Sequence, residues 1–361
     1  MKSYRFAALF VVIAMIVASC ASNPTPAATT AATEAPAVTQ AAAATTEAPI
    51  ATTEVAATTA PAATTEAAAA TTQAPAATPA MTATAAVITT TGGATAAVVA
   101  TVPPDALQLK DKLQFCTDFP YPPQEFYDEN GNPQGLDIEI GTEIANRLGL
   151  KAQYVNSVFD TIIAAVSSGK CDAILSAMNV TADRQKKVSM IPYFQAGQAF
   201  VAQKGNPQGI NTALDLCGKS AAAESGTTEA DYLQGTGDYK GKGLTQDCAK
   251  NSKKPINVVV TQKDTDALQQ LQAGKVAVYF ADSPVAAYYT VQHPDQFQLV
   301  GQVLQPAQEG IAVPCGQTDC TKAPLTPLAQ AIQTALKSMM DDGTYLKILT
   351  KWNLADSAVT P

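Results

Sequence analysis

The sequence predicts an α/β protein of two lobes, each built on a mostly parallel sheet with helices on both faces. Two observations carry that prediction. From Leu113 onward, short apolar runs of strand length alternate with segments whose apolar residues recur at helical spacing. The alternation continues through roughly 255 residues, enough for two cores in one chain. Strands separated by helices pair in parallel, because a parallel neighbour is reached only through a crossover.

The elements follow in order. Residues 113–117 read as the first strand. The turn residues at 130–133 precede a helix with Ile140, Ile144 and Leu148 on one face. Residues 153–155 form a strand, and Phe159, Ile162, Ile163 and Val166 give a helix that Gly169 stops. Residues 171–176 are a buried strand running into small polar residues and a short helical turn near Thr181. That turn carries Arg184, so free N–H groups and a guanidinium meet at a strand end, where an anion docks well. Residues 199–203 are a further strand.

The second half repeats this grammar. Strands are expected at 220–223 and 256–260, with helices at 228–233 and 265–272. Residues 276–280 form a buried strand, and Pro284 opens the next helix at a favoured first-turn position. Residues 310–313 are a return strand. An amphipathic helix follows through Leu328, Ile332, Leu336 and Met339, then a last turn carrying Trp352. That C-terminal helix is expected to pack back on the first lobe.

Ahead of the folded part lie a leader and a tether. Lys2 and Arg5 precede an apolar run from Phe6 to Val17, shorter than the ~20 residues a bilayer span needs and laid out as an export signal. Residues 1–19 are therefore read as a signal peptide. Val17-Ala18-Ser19-Cys20 resembles the bacterial lipoprotein box, which implies cleavage before Cys20 and diacylation of its sulfur. Residues 20–104 are almost entirely Ala, Thr, Pro and Val, with four glutamates, no lysine or arginine and no aromatic residue. Such a tract buries too little to offset its conformational entropy and is expected to stay disordered. As a flexible coil it spans roughly 50 Å.

Composition narrows the function classes. The formal charge of −8 becomes −10 when Lys2 and Arg5 leave with the leader, and no basic block is present, so nucleic acid is not an expected partner. His293 is the only histidine and sits in a loop-like context, which leaves little from which to build a histidine triad or a His-rich metal site. No metal and no cofactor are expected. Beyond the leader only Arg147 and Arg184 remain as arginines. Six cysteines follow Cys20, an even count that in an exported chain argues for disulfides, with fifteen pairings open. Sequence order within lobes favours Cys217–Cys248 and Cys315–Cys320, leaving Cys116–Cys171 to join two neighbouring parallel strands.

The stretch from Gly135 to Leu148, Gly-Leu-Asp-Ile-Glu-Ile-Gly-Thr-Glu-Ile-Ala-Asn-Arg-Leu, resembles the signature of family-3 bacterial extracellular solute-binding proteins, the polar amino-acid receptors of ABC importers. The resemblance continues through Phe159-Asp160, Cys171-Asp-Ala-Ile174, Thr181-Ala-Asp-Arg184, Gly226-Thr-Thr228 and Ala281-Asp-Ser-Pro-Val285. It implies a two-lobed clamp joined by a two-strand hinge, with lobe 1 at 105–200 and 309–361 and lobe 2 at 201–308. It further implies that Arg184 holds the ligand's α-carboxylate, that Thr228 adds donors from the facing lobe and that Asp282 accepts from the α-ammonium. Asp118 and Tyr121 border the ligand side chain, Phe159 supplies an aromatic wall, and Ser176, Ala177 and Asn179 line the strand end. Ala177 and Asn179 depart from the relatives' usual Gly or Ser and Ser or Thr, which alters the donors around the carboxylate.

Taken singly, Asp282 and Thr228 also read as helix caps, and Phe159 as core. Their joint occurrence in family order moves them to the pocket. A zwitterion leaving water needs both charges paired, which a guanidinium on one lobe and a carboxylate on the other achieve only when the lobes shut. With Arg147 facing away, a second pocket cation has to be a lysine, which disfavours acidic ligands and leaves glutamine, arginine or lysine. The expected partners are thus a polar L-amino acid, an ABC permease with its ATPase, and the membrane through the lipid anchor, at the outer face of the cytoplasmic membrane or on the periplasmic side of the envelope. The receptor is expected to act as a monomer and not as an enzyme. Two rival readings are an exported enzyme on the same scaffold, similar to prephenate or arogenate dehydratases, and a ligand-sensing lipoprotein.

Overall fold

The computed structural model describes residues 97–360; the expected signal peptide, Cys20 and most of the tether lie outside the described residues. The first strand, β1 (Lys112–Thr117), is buried along nearly its whole length, as a continuous apolar run in a parallel sheet should be. A turn through Pro120, Pro122 and Pro123 leads into the short pair β2 (Phe126–Tyr127) and β3 (Pro133–Gln134). Helix α1 (Leu136–Arg147) buries Leu136, Ile140 and Ile144, spaced by four. Its N-cap, Gly135, has φ 131°, and a Cβ there would overlap the Gln124 carbonyl oxygen, so only glycine lets the helix start beside the proline turn.

β1 is flanked in parallel by β4 (Lys151–Asn156) and β5 (Ala173–Ile174), with helix α2 (Ile162–Ser167) between those two in the chain. β5 is shorter than the strand expected over 171–176. After Ile174 the backbone leaves the ladder, and Ala177 takes a left-handed φ of 41°. A one-turn helix, α3 (Ala182–Gln185), follows, capped by Thr181.

The largest departure from the sequence reading lies in the two connecting strands. β6 (Ser189–Gln203) is 15 residues long, and only its last third was legible. In the far half come β7 (Ser220–Glu224), α4 (Thr228–Gln234), α5 (Leu244–Lys250), β8 (Asn257–Thr261), α6 (Asp264–Gln272), β9 (Val278–Asp282) and α7 (Ser283–Gln292). The return strand β10 (Phe297–Val313) is 17 residues long where four were expected. Helices α8 (Pro327–Asp341) and α9 (Thr344–Lys351) complete the fold, α9 replacing the single turn read around Trp352.

The strand order is β4-β1-β5-β10-β6-β9-β7-β8. Parallel trios occupy the ends for β4-β1-β5 and β9-β7-β8, while β10 and β6 run antiparallel through both lobes and join them. Their pairing is interrupted between Val300 and Leu304, between Leu304 and Ala307, and between Glu309 and Gly310. Bulges bend a strand and leave ladder groups unpaired, so the ribbon bends at these register breaks.

Each lobe is packed on both sheet faces. In lobe 1, Leu113, Phe115, Ile140 and Ile144 meet Leu328, Ile332, Leu336 and Met339, which docks α8 on that lobe as expected. The other face packs Cys116, Ile162, Val166 and Ile174. In lobe 2 the period-two alternation of β9 sends Phe280 to one face and Tyr279 and Ala281 to the other. Three disulfides are present: Cys116–Cys171, Cys217–Cys248 and Cys315–Cys320. The 31-residue separation of the second is worth about 3–4 kcal/mol by loop-closure entropy.

Candidate functional site

The C-terminal ends of β1 and β5 in lobe 1 face the ends of β7 and β9 in lobe 2 across a cleft. All nine expected residues, Asp118, Tyr121, Phe159, Ser176, Ala177, Asn179, Arg184, Thr228 and Asp282, line it. The cavity there is about 20 Å³, room for about one water, so anything larger enters only when the lobes part.

Local structure explains how each side chain is aimed. Thr181 caps α3 by accepting from the Arg184 N–H at 3.2 Å, which fixes Arg184 one turn past the strand end. The guanidinium is buried. It donates to the Asn179 carbonyl at 2.9 Å and across the cleft to the Gly226 carbonyl at 2.9 Å, and it lies 5.3 Å over the Phe159 ring. Gly226 permits that approach: it has φ 77°, and a Cβ would sit 2.6 Å from the Asp160 Cα of the facing lobe. Arg147 points elsewhere, bonded to Glu143, Ser338, Thr344 and Asp342.

Capping duties fall on neighbours. Thr227, not Thr228, caps α4 by accepting from the Ala230 N–H. That frees the Thr228 hydroxyl, which accepts from Gln198 at 2.7 Å and donates to Asn179 Oδ1 at 2.8 Å. Asp282 occupies the N-cap position of α7 but makes no side-chain cap. Its carboxylate turns instead to the Tyr121 hydroxyl at 2.9 Å and the Asn179 amide at 3.4 Å. Asn179 therefore bridges both lobes, its amide placing the acceptor and the donor on separate atoms. Asp118 accepts from the Phe159 N–H at 2.6 Å and from the Lys263 ammonium, which crosses from lobe 2.

Four lining residues escaped the sequence reading beyond the flanking Pro120: Glu125, Glu224, Thr227 and Glu229. The only signal was position, since Glu224 directly precedes Ser225-Gly-Thr-Thr228 and Glu229 follows it. Together with Asp118 and Asp282, five carboxylates line the cleft against one lining cation, Arg184, with Lys263 at the rim. Burial raises them all. It pushes Asp282 up to about 6, while the bonds donated by Tyr121 and Asn179 pull the other way. Burial, then the charges of Asp264 and Asp118, pushes Glu224 up to about 10. Glu229 rises through burial and then Asp282, and Glu125 through burial and then Asp137. Burial also lowers Arg184, against the opposing pull of Glu229 and Asp282. Among the described residues no three such groups are arranged to hold a metal ion.

These raised acids make a stability prediction. Asp137 and Asp264 are each held up to about 7, mainly by burial, and Glu224 to about 10. Their unfolded values lie near 4. The folded chain thus holds protons that the unfolded chain has released, and unfolding gives them up. Stability is complete below about pH 4 on this account and erodes as pH rises through each folded value, by about 1.4 kcal/mol per unit per group still protonated. The ligand-free protein is expected to melt at a higher temperature at pH 5 than at pH 8. Calorimetry at matched ionic strength checks this, and a flat or rising profile refutes it.

The chain is similar to known binding proteins. ABC transporter arginine-binding protein 1 of Escherichia coli (strain K12) is 26% identical over 67% of this chain and 90% of its own length. A solved ancestral arginine-binding protein bound to arginine is 34% identical, covers 67% of this chain and 98% of its own, and has a TM-score of 0.58. A solved ancestral amino acid-binding protein, a precursor of cyclohexadienyl dehydratase, is 29% identical over 67% of this chain and 95% of its own, with a TM-score of 0.55. The named relatives are binding proteins. The family model of bacterial extracellular solute-binding proteins, family 3, matches residues 113–355, and the chain belongs to that family.

Proposed function

We propose that this protein is the receptor of an ABC importer and captures an L-amino acid with a cationic side chain, arginine or lysine, between its lobes. The observation that carries the reading is the charge layout of the cleft: a buried guanidinium on lobe 1, a buried carboxylate on lobe 2, and a surplus of acids around them. Arg184 takes the α-carboxylate, Asp282 the α-ammonium with Tyr121 and Thr228 beside it, and Phe159 stacks on the ligand's flank. Ser176, Ala177 and Asn179 shape the carboxylate end. A net positive ligand relieves an acidic site that a glutamate would burden further.

Closure follows from differential affinity, because the α-groups reach both partners only when the lobes meet. The export signal, diacylation at Cys20 and the tether of residues 20–104 hold the receptor at the outer face of the cytoplasmic membrane. There a permease and its ATPase take the ligand from a monomeric receptor whose lobes divide at 200/201 and 308/309. The dehydratase-related neighbour keeps an enzyme reading in view. The single lining arginine argues against it, since a dicarboxylate such as prephenate calls for two cations.

A thermal-shift screen of the oxidised protein against the twenty amino acids and prephenate tests the reading. Ligand at ~1,000 Kd adds about 4 kcal/mol of stability. The expected result is a strong shift with arginine or lysine and none with glutamate. A shift confined to acidic ligands, or turnover of prephenate, refutes it.

A further inference from the structure

Both oxygens of Asp118, the acid that the family resemblance sets beside the ligand side chain, are already engaged. Oδ2 accepts from the Phe159 N–H and Oδ1 from the Lys263 ammonium. Lys263 also donates to the Phe119 carbonyl at 3.1 Å. Its backbone is held as the N-cap of α6, so the side chain alone reaches across. Lys263–Asp118 is the one ion pair between the lobes among the described residues. The rest either join neighbouring turns or stay within lobe 1.

Glu224 is engaged on one side only, through a hydrogen bond it shares with Asp118. It ends β7, is 6% exposed, lines the cavity, and its Oε1 is buried with no hydrogen-bond partner. Two other lining acids also have an unpartnered oxygen, but each is committed elsewhere. Glu229 shares a hydrogen bond with Asp282 at the α-group end, and Glu125 accepts from Ser176 at 2.5 Å on the floor behind it. Glu224 stands among Asp118, Lys263 and Asp264, on the Asp118 side of the cleft. Asp264 is answered by the Tyr279 hydroxyl at 2.5 Å.

We infer that Glu224 is the specificity-determining partner of the ligand's side-chain cation, and that Asp118 serves as the anchor of an inter-lobe latch closed by Lys263. The inference rests on the receptor reading above and deepens it. A buried acceptor without a partner is costly, and a guanidinium or ammonium arriving between the lobes satisfies it while a neutral aliphatic chain leaves it bare. The latch supplies closure energy to every ligand alike, so it governs affinity without choosing among side chains.

Titration calorimetry with arginine and glutamine on four proteins tests this: wild type, Glu224→Gln, Asp118→Asn and Lys263→Met. Glu224→Gln is expected to weaken arginine at least roughly 30-fold while leaving glutamine within about threefold. Asp118→Asn is expected to weaken both ligands together, keeping their ratio. Lys263→Met, at a partly exposed position that tolerates change, frees Asp118 to act as a second anion and is expected to raise the arginine-to-glutamine ratio about tenfold. An unchanged ratio in Glu224→Gln, with the ratio collapsing in Asp118→Asn, overturns the assignment and returns the cation to Asp118. A fall of the ratio in Lys263→Met overturns the latch even if Glu224→Gln fails to fold. Wild-type protein that binds neither amino acid overturns the receptor reading itself, a result distinct from either.

Discussion

Arg184→Ala is expected to weaken amino-acid binding on the order of 10²- to 10³-fold, the loss typical of stripping one partner from a buried charge pair. The guanidinium is nine-tenths or more buried, stacked on Phe159 and tied to two carbonyls on opposite lobes. Those two bonds leave other N–H groups of its fork free for a carboxylate, which the planar group meets bidentately. Arg184→Lys should recover little, since an ammonium offers a point charge with neither the fork nor the planar stack. The free protein should lose far less: the variant also sheds the desolvation cost that lowers the Arg184 pKa. Calorimetric titration with arginine, lysine and glutamine checks this. A variant that keeps wild-type affinity for all three would place the α-carboxylate elsewhere.

What the sequence disclosed and what it hid divide along physical lines. Helix α1 was legible because Ile140 and Ile144 recur on one buried face. Helix α5 was not, since it buries only Leu244 and Cys248, too few apolar residues to show a period. The connecting strands were read only at their far ends, 199–203 and 310–313, where they enter a core. Between the lobes they carry Gln195, Gly197, Pro306 and Gln308, without alternation. They pair with each other across a long sequence separation, a tertiary context that leaves no local mark. The site shows the same contrast. Arg184 and Asp282 stood out through scarcity and motif order. Glu224 and Glu229 look like ordinary acids flanking a helix start, where the macrodipole favours negative charge. Only the fold turns them into the cleft.

Raising the pH from 6 to 8 is expected to tighten arginine binding by up to about tenfold per unit more than it tightens glutamine binding. Glu224 is pushed up to about 10 by burial and by Asp264 and Asp118, with Lys263 opposing. It is therefore protonated in the free protein across this range. A side-chain cation pairs with the carboxylate, so arginine must displace that proton, and mass action makes each unit of pH favour the complex. A neutral amide meets the protonated acid without displacing anything. Other cleft acids titrate too, Asp282 near 6 and Glu229 above the usual carboxylate range, but they face the α-ammonium that every amino acid carries. The contribution of Asp282 and Glu229 is common to both ligands and cancels in the ratio, while Asp264, pushed up to about 7 beside Glu224, adds to the proton release that arginine drives. The guanidinium itself stays charged throughout. Calorimetry in buffers of different ionisation enthalpy measures the same quantity directly: about one more proton should leave on binding arginine than on binding glutamine. Equal proton release for the two ligands, with parallel pH profiles, would mean that the cation never meets Glu224. The two experiments interlock, because Glu224→Gln should abolish the extra proton and the extra arginine affinity together.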